Sequence, residues 1–277
     1  MLITNSNNLP VAFMRAIQDG IRVPVDGEYS VTELLKPIQE IVLTRQNFNR
    51  IEQDASEYVN LIIGTAVHDY LAKFDGSGES EIRLRADIIA GYTLTGQYDL
   101  YDAETCSLVD YKTASVYKVL MADYDDYRKQ GLMYAWLLAR IGKHVERLQF
   151  HILLKDWSAS DLERRTSYPA TPLVTWEYHV TVSDMQEIEQ YIRERIAVLA
   201  AGTVPPCTEA ERWNSGDRFA AMGKSRAIKI CDTYAEAAAL SQTVEVRRGI
   251  DRKCSRYCQA RDFCKQYQAS LLSEREE

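Results

Sequence analysis

The chain has 277 residues, 46% of them hydrophobic and 26% charged, and a formal net charge of −7. This is the composition of a globular protein with length for one large domain, or one domain and a small appendage, and it excludes extended disorder and collagen-like repeats. Apolar runs such as Leu61-Ile62-Ile63 are far too short to span a bilayer, and the first ten residues carry no basic or apolar signal segment. The expectation is a cytoplasmic protein with no membrane association, in which the six cysteines stay reduced.

In chain order, residues 54–73 read as a helix with an apolar stripe of Val59, Ile62, Ile63, Val67 and Leu71. Strand patterns follow at 81–89, 92–101 and 106–113, the first alternating apolar and polar residues. A second helix is predicted over 124–141, then strands over 147–155 and 173–181. A further helix starts at Ser183, with Gln186 three residues on as a capping box. The order α-β-β-β-α-β indicates an α/β fold. The crossover helix predicts that the strands starting near 106 and 147 are parallel. Pro205-Pro206 marks a seam between a body, 1–205, with N-terminal helical elements, and a small extension, 206–277. The extension shows one strand pattern, near Ala227–Cys231, and one helical pattern, near Tyr234–Leu240.

The densest chemistry lies in GQYDLYDAETCSLVDYKT. Asp99 and Asp110 are symmetric about a turn-like Asp102-Ala103-Glu104-Thr105, so a regular hairpin sets them side by side. Paired carboxylates repel unless a positive charge sits between them, and a divalent cation is the natural candidate. Lys112 emerges on the same face as Asp110, where an ammonium could stabilise charge on a phosphoryl oxygen or orient an attacking water. The competing reading is a solvent-facing hairpin with an incidental ion pair. Gly64 and His68 share a helix face, as do Gln130 and Tyr134. Taken alone, His68 reads as a core histidine and the second pair as an ordinary polar rim.

Together these patterns resemble the RecB-like branch of the PD-(D/E)XK nuclease superfamily. The motifs stand as Gly64-x3-His68, Gly96-x2-Asp99, Asp110-Tyr111-Lys112 and Gln130-x3-Tyr134, in the family's order and on the expected elements, across about residues 54–155. The chain also looks like phage-type members of the group. The resemblance implies a restriction-endonuclease-like αβββαβ core with a central mixed sheet. It implies a metal-dependent DNA exonuclease acting in recombination, repair or phage replication. His68, Asp99, Asp110 and the backbone carbonyl of Tyr111 would be metal ligands, and Lys112 the catalytic lysine. Gln130 and Tyr134 would support DNA binding or orient the site. Mg²⁺ or Mn²⁺ would be the metal, and an imidazole ligand favours manganese. A structure-selective or spacer-processing endonuclease, and a non-catalytic DNA-binding assembly module, stand as alternatives. No GxxxxGK[ST] motif is present, so the chain is not itself a helicase; a helicase or annealing protein as partner stays open.

Cys254-x3-Cys258-x5-Cys264, with Cys207 upstream, forms a candidate four-thiolate set, suited to zinc or to a [4Fe–4S] cluster. The tail resembles the iron–sulfur staple of RecB-like and CRISPR-associated nucleases, which implies the cluster first and zinc second. It departs from that pattern in that Cys207 follows the core instead of preceding it. Cys106 and Cys231 lie in strand-like runs and read as buried structural thiols. Charge is uneven: residues 1–210 carry −10 and residues 211–265 carry +5. Arg247 and Arg248, with Lys253 and other basic residues, and Trp213, Phe219, Tyr257 and Phe263, suit phosphate pairing and base stacking on single-stranded DNA. The competing reading is a solvated charged surface with aromatics packed around a metal.

Overall fold

The computed structural model describes residues 1–74 and 78–273. They divide into two compact units, Met1–Ile41 with Phe48–Val204, and Val42–Asn47 with Pro205–Glu277.

The first unit begins with β1 (Leu2–Thr4), α1 (Val11–Gly20), β2 (Glu28–Ser30), α2 (Val31–Leu34), the start of α3 (Ile38–Gln46), and β3 (Glu52–Asp54). Then come α4 (Val59–Leu71), β4 (Glu79–Ser80), β5 (Arg83–Ile89), β6 (Tyr92–Gln97), β7 (Leu100–Asp102) and β8 (Ser107–Ala114). The unit continues with α5 (Val116–Met121), α6 (Asp125–Ala139), β9 (Arg147–Leu154), α7 (Ala159–Arg164), β10 (Leu173–His179) and α8 (Val182–Ala200). The architecture is mixed α/β, as expected, but five strands, β4 to β8, lie between α4 and the crossover helices where the sequence pattern reads three. One sheet has the order β10-β9-β8-β7-β4, and another β2-β6-β5. β8 and β9 run parallel, as the crossover through α5 and α6 predicts, whereas β7 and β10 are antiparallel to their neighbours.

The core centres on α6. Its residues Gly131 to Leu138 are buried without interruption, because it packs on α8 and against strands of both sheets. A helix that is apolar all round belongs in an interior. From α8, Ile188, Ile192 and Ile196 face it at helical spacing.

Four expectations are corrected. The strand read over 92–101 is two strands in different sheets, broken at Tyr98-Asp99, where the Tyr98 side chain is buried. The cap of α8 is Thr181, not Ser183: its hydroxyl accepts from the Asp184 N–H at 3.2 Å, and Asp184 accepts from the Thr181 N–H at 2.9 Å. Cys106 is no buried strand thiol but a half-buried residue in the turn, at φ +50°. Finally, the helix read over 54–73 opens with a 3-10 turn, Ala55–Tyr58, and no residue of α4 is buried. Part of its apolar stripe lines an open cleft of about 770 Å³ against the sheet, together with Tyr70, Tyr111, His151, Leu153 and Leu173.

The second unit holds β11 (Arg218–Met222), β12 (Ala227–Cys231), α9 (Tyr234–Leu240), β13 (Val244–Arg247), α10 (Arg252–Arg256) and α11 (Lys265–Ser273). Its antiparallel sheet has the order β12-β11-β13, two strands more than the sequence pattern indicates. β13, Val-Glu-Val-Arg, alternates over only four residues, too short a run to stand out as a strand. Ala221, Cys231 and Ala237 form a small core with Phe219 and Val244 against it, so Cys231 is buried as expected and Phe219 is not a free aromatic face. Among the described residues, no helix is long and apolar enough to cross a membrane.

Candidate active site

Strand register brings the two aspartates together. Leu100 pairs with Val109 and Tyr101 with Leu108, and one step further along the same ladder Asp99 reaches the position across from Asp110. Asp99 lies in the break between β6 and β7, and it is held from two directions. Its Oδ1 is 3.1 Å from His68 Nδ1 on α4, and its Oδ2 accepts the Tyr111 N–H at 2.7 Å. Asp110 is only 4% exposed. Lys112 Nζ lies 2.6 Å from its Oδ1 in an ion pair whose direction leaves that buried oxygen without a well-aligned hydrogen bond.

The proton affinities follow from this crowding. The hydrogen bond to Asp99 raises the His68 pKa above its ordinary value, against the opposing effect of burial. Burial raises the Asp110 carboxyl above the usual carboxylate range; Lys112 pulls it back and the Asp99 charge pushes it further up.

A polar relay continues from Lys112 into α6. Lys112 Nζ donates to Gln130 Oε1 at 2.9 Å, and Gln130 Nε2 donates to the Tyr134 hydroxyl at 3.2 Å. The four-residue spacing puts Gln130 and Tyr134 on one face of α6. Gly96 gives Tyr134 its place: a Cβ there would come within 2.7 Å of Tyr134 Cε1 and 2.9 Å of Val31 Cγ2, and both neighbours are buried. Gly64 has no comparable role, since a Cβ there would meet only Thr113 Oγ1, at an ordinary 3.5 Å. Close approach to a neighbouring backbone is therefore not what this position requires.

Glu81 is the residue the sequence motifs miss. One ligand atom each from His68, Glu81 and Asp99 lies within 4.8 Å of the others, a group able to hold a metal ion. Glu81 sits just before β5 at φ +56°, its N–H donating to the Asp99 carbonyl at 2.9 Å and its carboxylate accepting from Gln97 Nε2. The available signal is an acidic residue opening the alternating run at 81–89. Imidazole and carboxylate donors beside a poorly satisfied buried carboxylate oxygen fit a divalent cation.

The second unit holds the other candidate residues. Cys254 and Cys264 are buried, and Cys207 and Cys258 are half-buried. Burial first, then Glu211, then the charges of Cys264, Cys254 and Cys258 push the Cys207 thiol up to about 12. Burial, Asp251 and the nearby thiols push Cys254 up to about 11. Gln266 clamps Cys207 with two backbone hydrogen bonds, at 2.9 and 2.8 Å. Arg247 pairs with Glu245 at 3.0 Å and Arg248 with Asp217 at 2.9 Å, and all four side chains are solvent-exposed.

No family model matches the chain, and no curated protein matches its sequence. Among solved structures it is similar to SSO0001, with a TM-score of 0.52 at 15% identity, covering 73% of this chain and 89% of that one. A phage-related exonuclease from Haemophilus somnus 129PT aligns with a TM-score of 0.40 at 12% identity, over 64% of this chain and 97% of that one. The alkaline exonuclease LHK-Exo of Laribacter hongkongensis aligns with a TM-score of 0.39 at 14% identity, over 64% and 89%. The likeness to SSO0001 is one of fold.

The shifted proton affinities give a sign for metal binding. A cation held by His68 and Asp110 would take their deprotonated forms, and both hold their protons more tightly than usual, so its binding would release protons and strengthen as pH rises. Calorimetric titration with Mn²⁺ should give a Kd at least roughly tenfold tighter at pH 8 than at pH 6. Glu81→Gln should weaken binding at both. A pH-independent affinity contradicts this account.

Proposed function

We propose that the chain is a divalent-metal-dependent nuclease that hydrolyses phosphodiester bonds of DNA. The observation that carries this reading is the junction of His68, Glu81 and Asp99 with the buried Asp110–Lys112 ion pair. The four motifs resembling RecB-like nucleases support it, and they favour exonucleolytic action on DNA ends or single strands in recombination, repair or phage replication.

In this reading His68, Asp99, Asp110 and the backbone carbonyl of Tyr111 hold the cation, and Glu81 stands beside them. When bound, the cation supplies Lewis-acid polarisation of the phosphoryl oxygen and a water more acidic than bulk. Lys112 carries the charge that complements the transition state. Its ammonium is fixed between Asp110 and Gln130, so little reorganisation is needed as negative charge develops. Tyr134 orients Gln130, and through it Lys112; both are positioning residues. The Tyr111 N–H keeps Asp99 aimed at the site from the backbone side.

The test compares end-labelled linear DNA with closed circular single- and double-stranded DNA, in Mn²⁺ and in Mg²⁺. Linear substrates should be hydrolysed, faster with manganese. Asp110→Ala and Lys112→Ala should each lower the rate by about a hundredfold or more. Undiminished hydrolysis by both variants overturns the site, and cleavage of circles as fast as linear DNA replaces the exonuclease by an endonuclease.

We also propose that Cys207, Cys254, Cys258 and Cys264 hold a [4Fe–4S] cluster, with Zn²⁺ as the alternative. Two of these thiols have raised pKa values, so a metal must displace their protons as it binds. Anaerobically purified protein should be brown, with about four irons per chain. Colourless protein retaining stoichiometric zinc eliminates the cluster.

A further inference from the structure

The second unit holds Trp213 in a conformation that a large side chain rarely takes. Its φ is +52°, in the left-handed region, which is strained for a bulky residue. The indole is nevertheless 52% exposed, so the strain is not offset by burial of the ring. Beside it stands Tyr257, 62% exposed, with ring centroids 5.2 Å apart and planes at 60°. Lys253 Nζ lies 5.8 Å from the centre of the indole.

The backbone around Trp213 is tied down on both sides. Asp251, itself buried, accepts from the Arg212 guanidinium and from Asn214 Nδ2 at 2.6 Å, so one carboxylate anchors both neighbours of the tryptophan. Asn214 and Asp251 form an antiparallel bridge, and the Lys253 N–H donates to the Arg212 carbonyl at 3.0 Å. Two segments distant in sequence are thus stitched together, with the indole held out in water at their crossing. Strained backbone that surrounding bonds over-determine, presenting an aromatic face to solvent, is characteristic of binding sites.

We propose that Trp213 and Tyr257 form a stacking platform for the bases of single-stranded nucleic acid, with Lys253 meeting the phosphates. The chemistry favours this ligand over an apolar protein partner because the faces are aromatic and the surrounding stretch, residues 211–265, carries a net +5. The platform also shares its chain with the cysteines: Lys253 precedes Cys254, and Tyr257 precedes Cys258. The platform does not rest on the nuclease reading, since it concerns binding and lies in the other unit.

The experiment titrates the full chain, as purified and without added divalent metal, with oligothymidylate and with an abasic oligomer of the same length, following tryptophan emission and anisotropy. Thymidylate should quench the emission and bind about tenfold tighter than the abasic strand. Trp213→Ala should remove that difference and Trp213→Phe should keep most of it. The salt dependence of binding should stay the same, because stacking releases no counterions. Should Trp213→Ala fail to fold, Tyr257→Leu provides the same comparison. Equal affinity for the two strands, or a base preference that survives both Trp213→Ala and Tyr257→Leu, overturns the platform. Base-dependent binding by protein that hydrolyses no DNA once Mn²⁺ or Mg²⁺ is supplied would overturn the nuclease reading and leave the platform standing.

Discussion

Asp99 and Asp110 stand side by side where the chain leaves one sheet for another, and the remaining groups of the site make that juxtaposition tolerable. His68 and the Tyr111 N–H hold the first carboxylate; Lys112 balances the second inside the protein. Burial makes this pairing costly, since a carboxylate removed from water retains its charge only with a partner close by. The raised pKa of Asp110 expresses that cost, and a cation among these donors would remove it.

The constraint spreads outward through packing. Lys112 is kept in place by Gln130, Gln130 by Tyr134, and Tyr134 by the absence of a side chain at Gly96. Tyr134 belongs to the stretch of α6 that forms the centre of the core. The site is therefore mounted on a helix buried in the core of the first unit, as a site whose groups must be held to within a fraction of an ångström requires.

Much of this arrangement is legible in the sequence because its determinants are local. Asp99 and Asp110 are symmetric about a turn, Lys112 is two residues from Asp110 on a strand, and Gln130 and Tyr134 are one helical turn apart. Other features depend on what lies nearby in space. Periodicity identifies the apolar stripe of α4 but carries no information on what covers it, and the structure leaves it mostly half-buried beside a cleft. The break at Tyr98 interrupts a run that reads as one strand. Thr181-Val182-Ser183-Asp184 offers two overlapping caps, and β10 ending at His179 leaves Thr181 as the residue that enters the helix. Glu81 reaches His68 and Asp99 only through the fold.

Electron paramagnetic resonance of Mn²⁺ bound to the full chain tests the central claim most directly. One tight site per chain should show hyperfine coupling to an imidazole nitrogen. His68→Ala should abolish the coupling, and Asp99→Asn or Asp110→Asn should release the ion. A tight site without nitrogen coupling, unchanged by all three substitutions, would contradict the account.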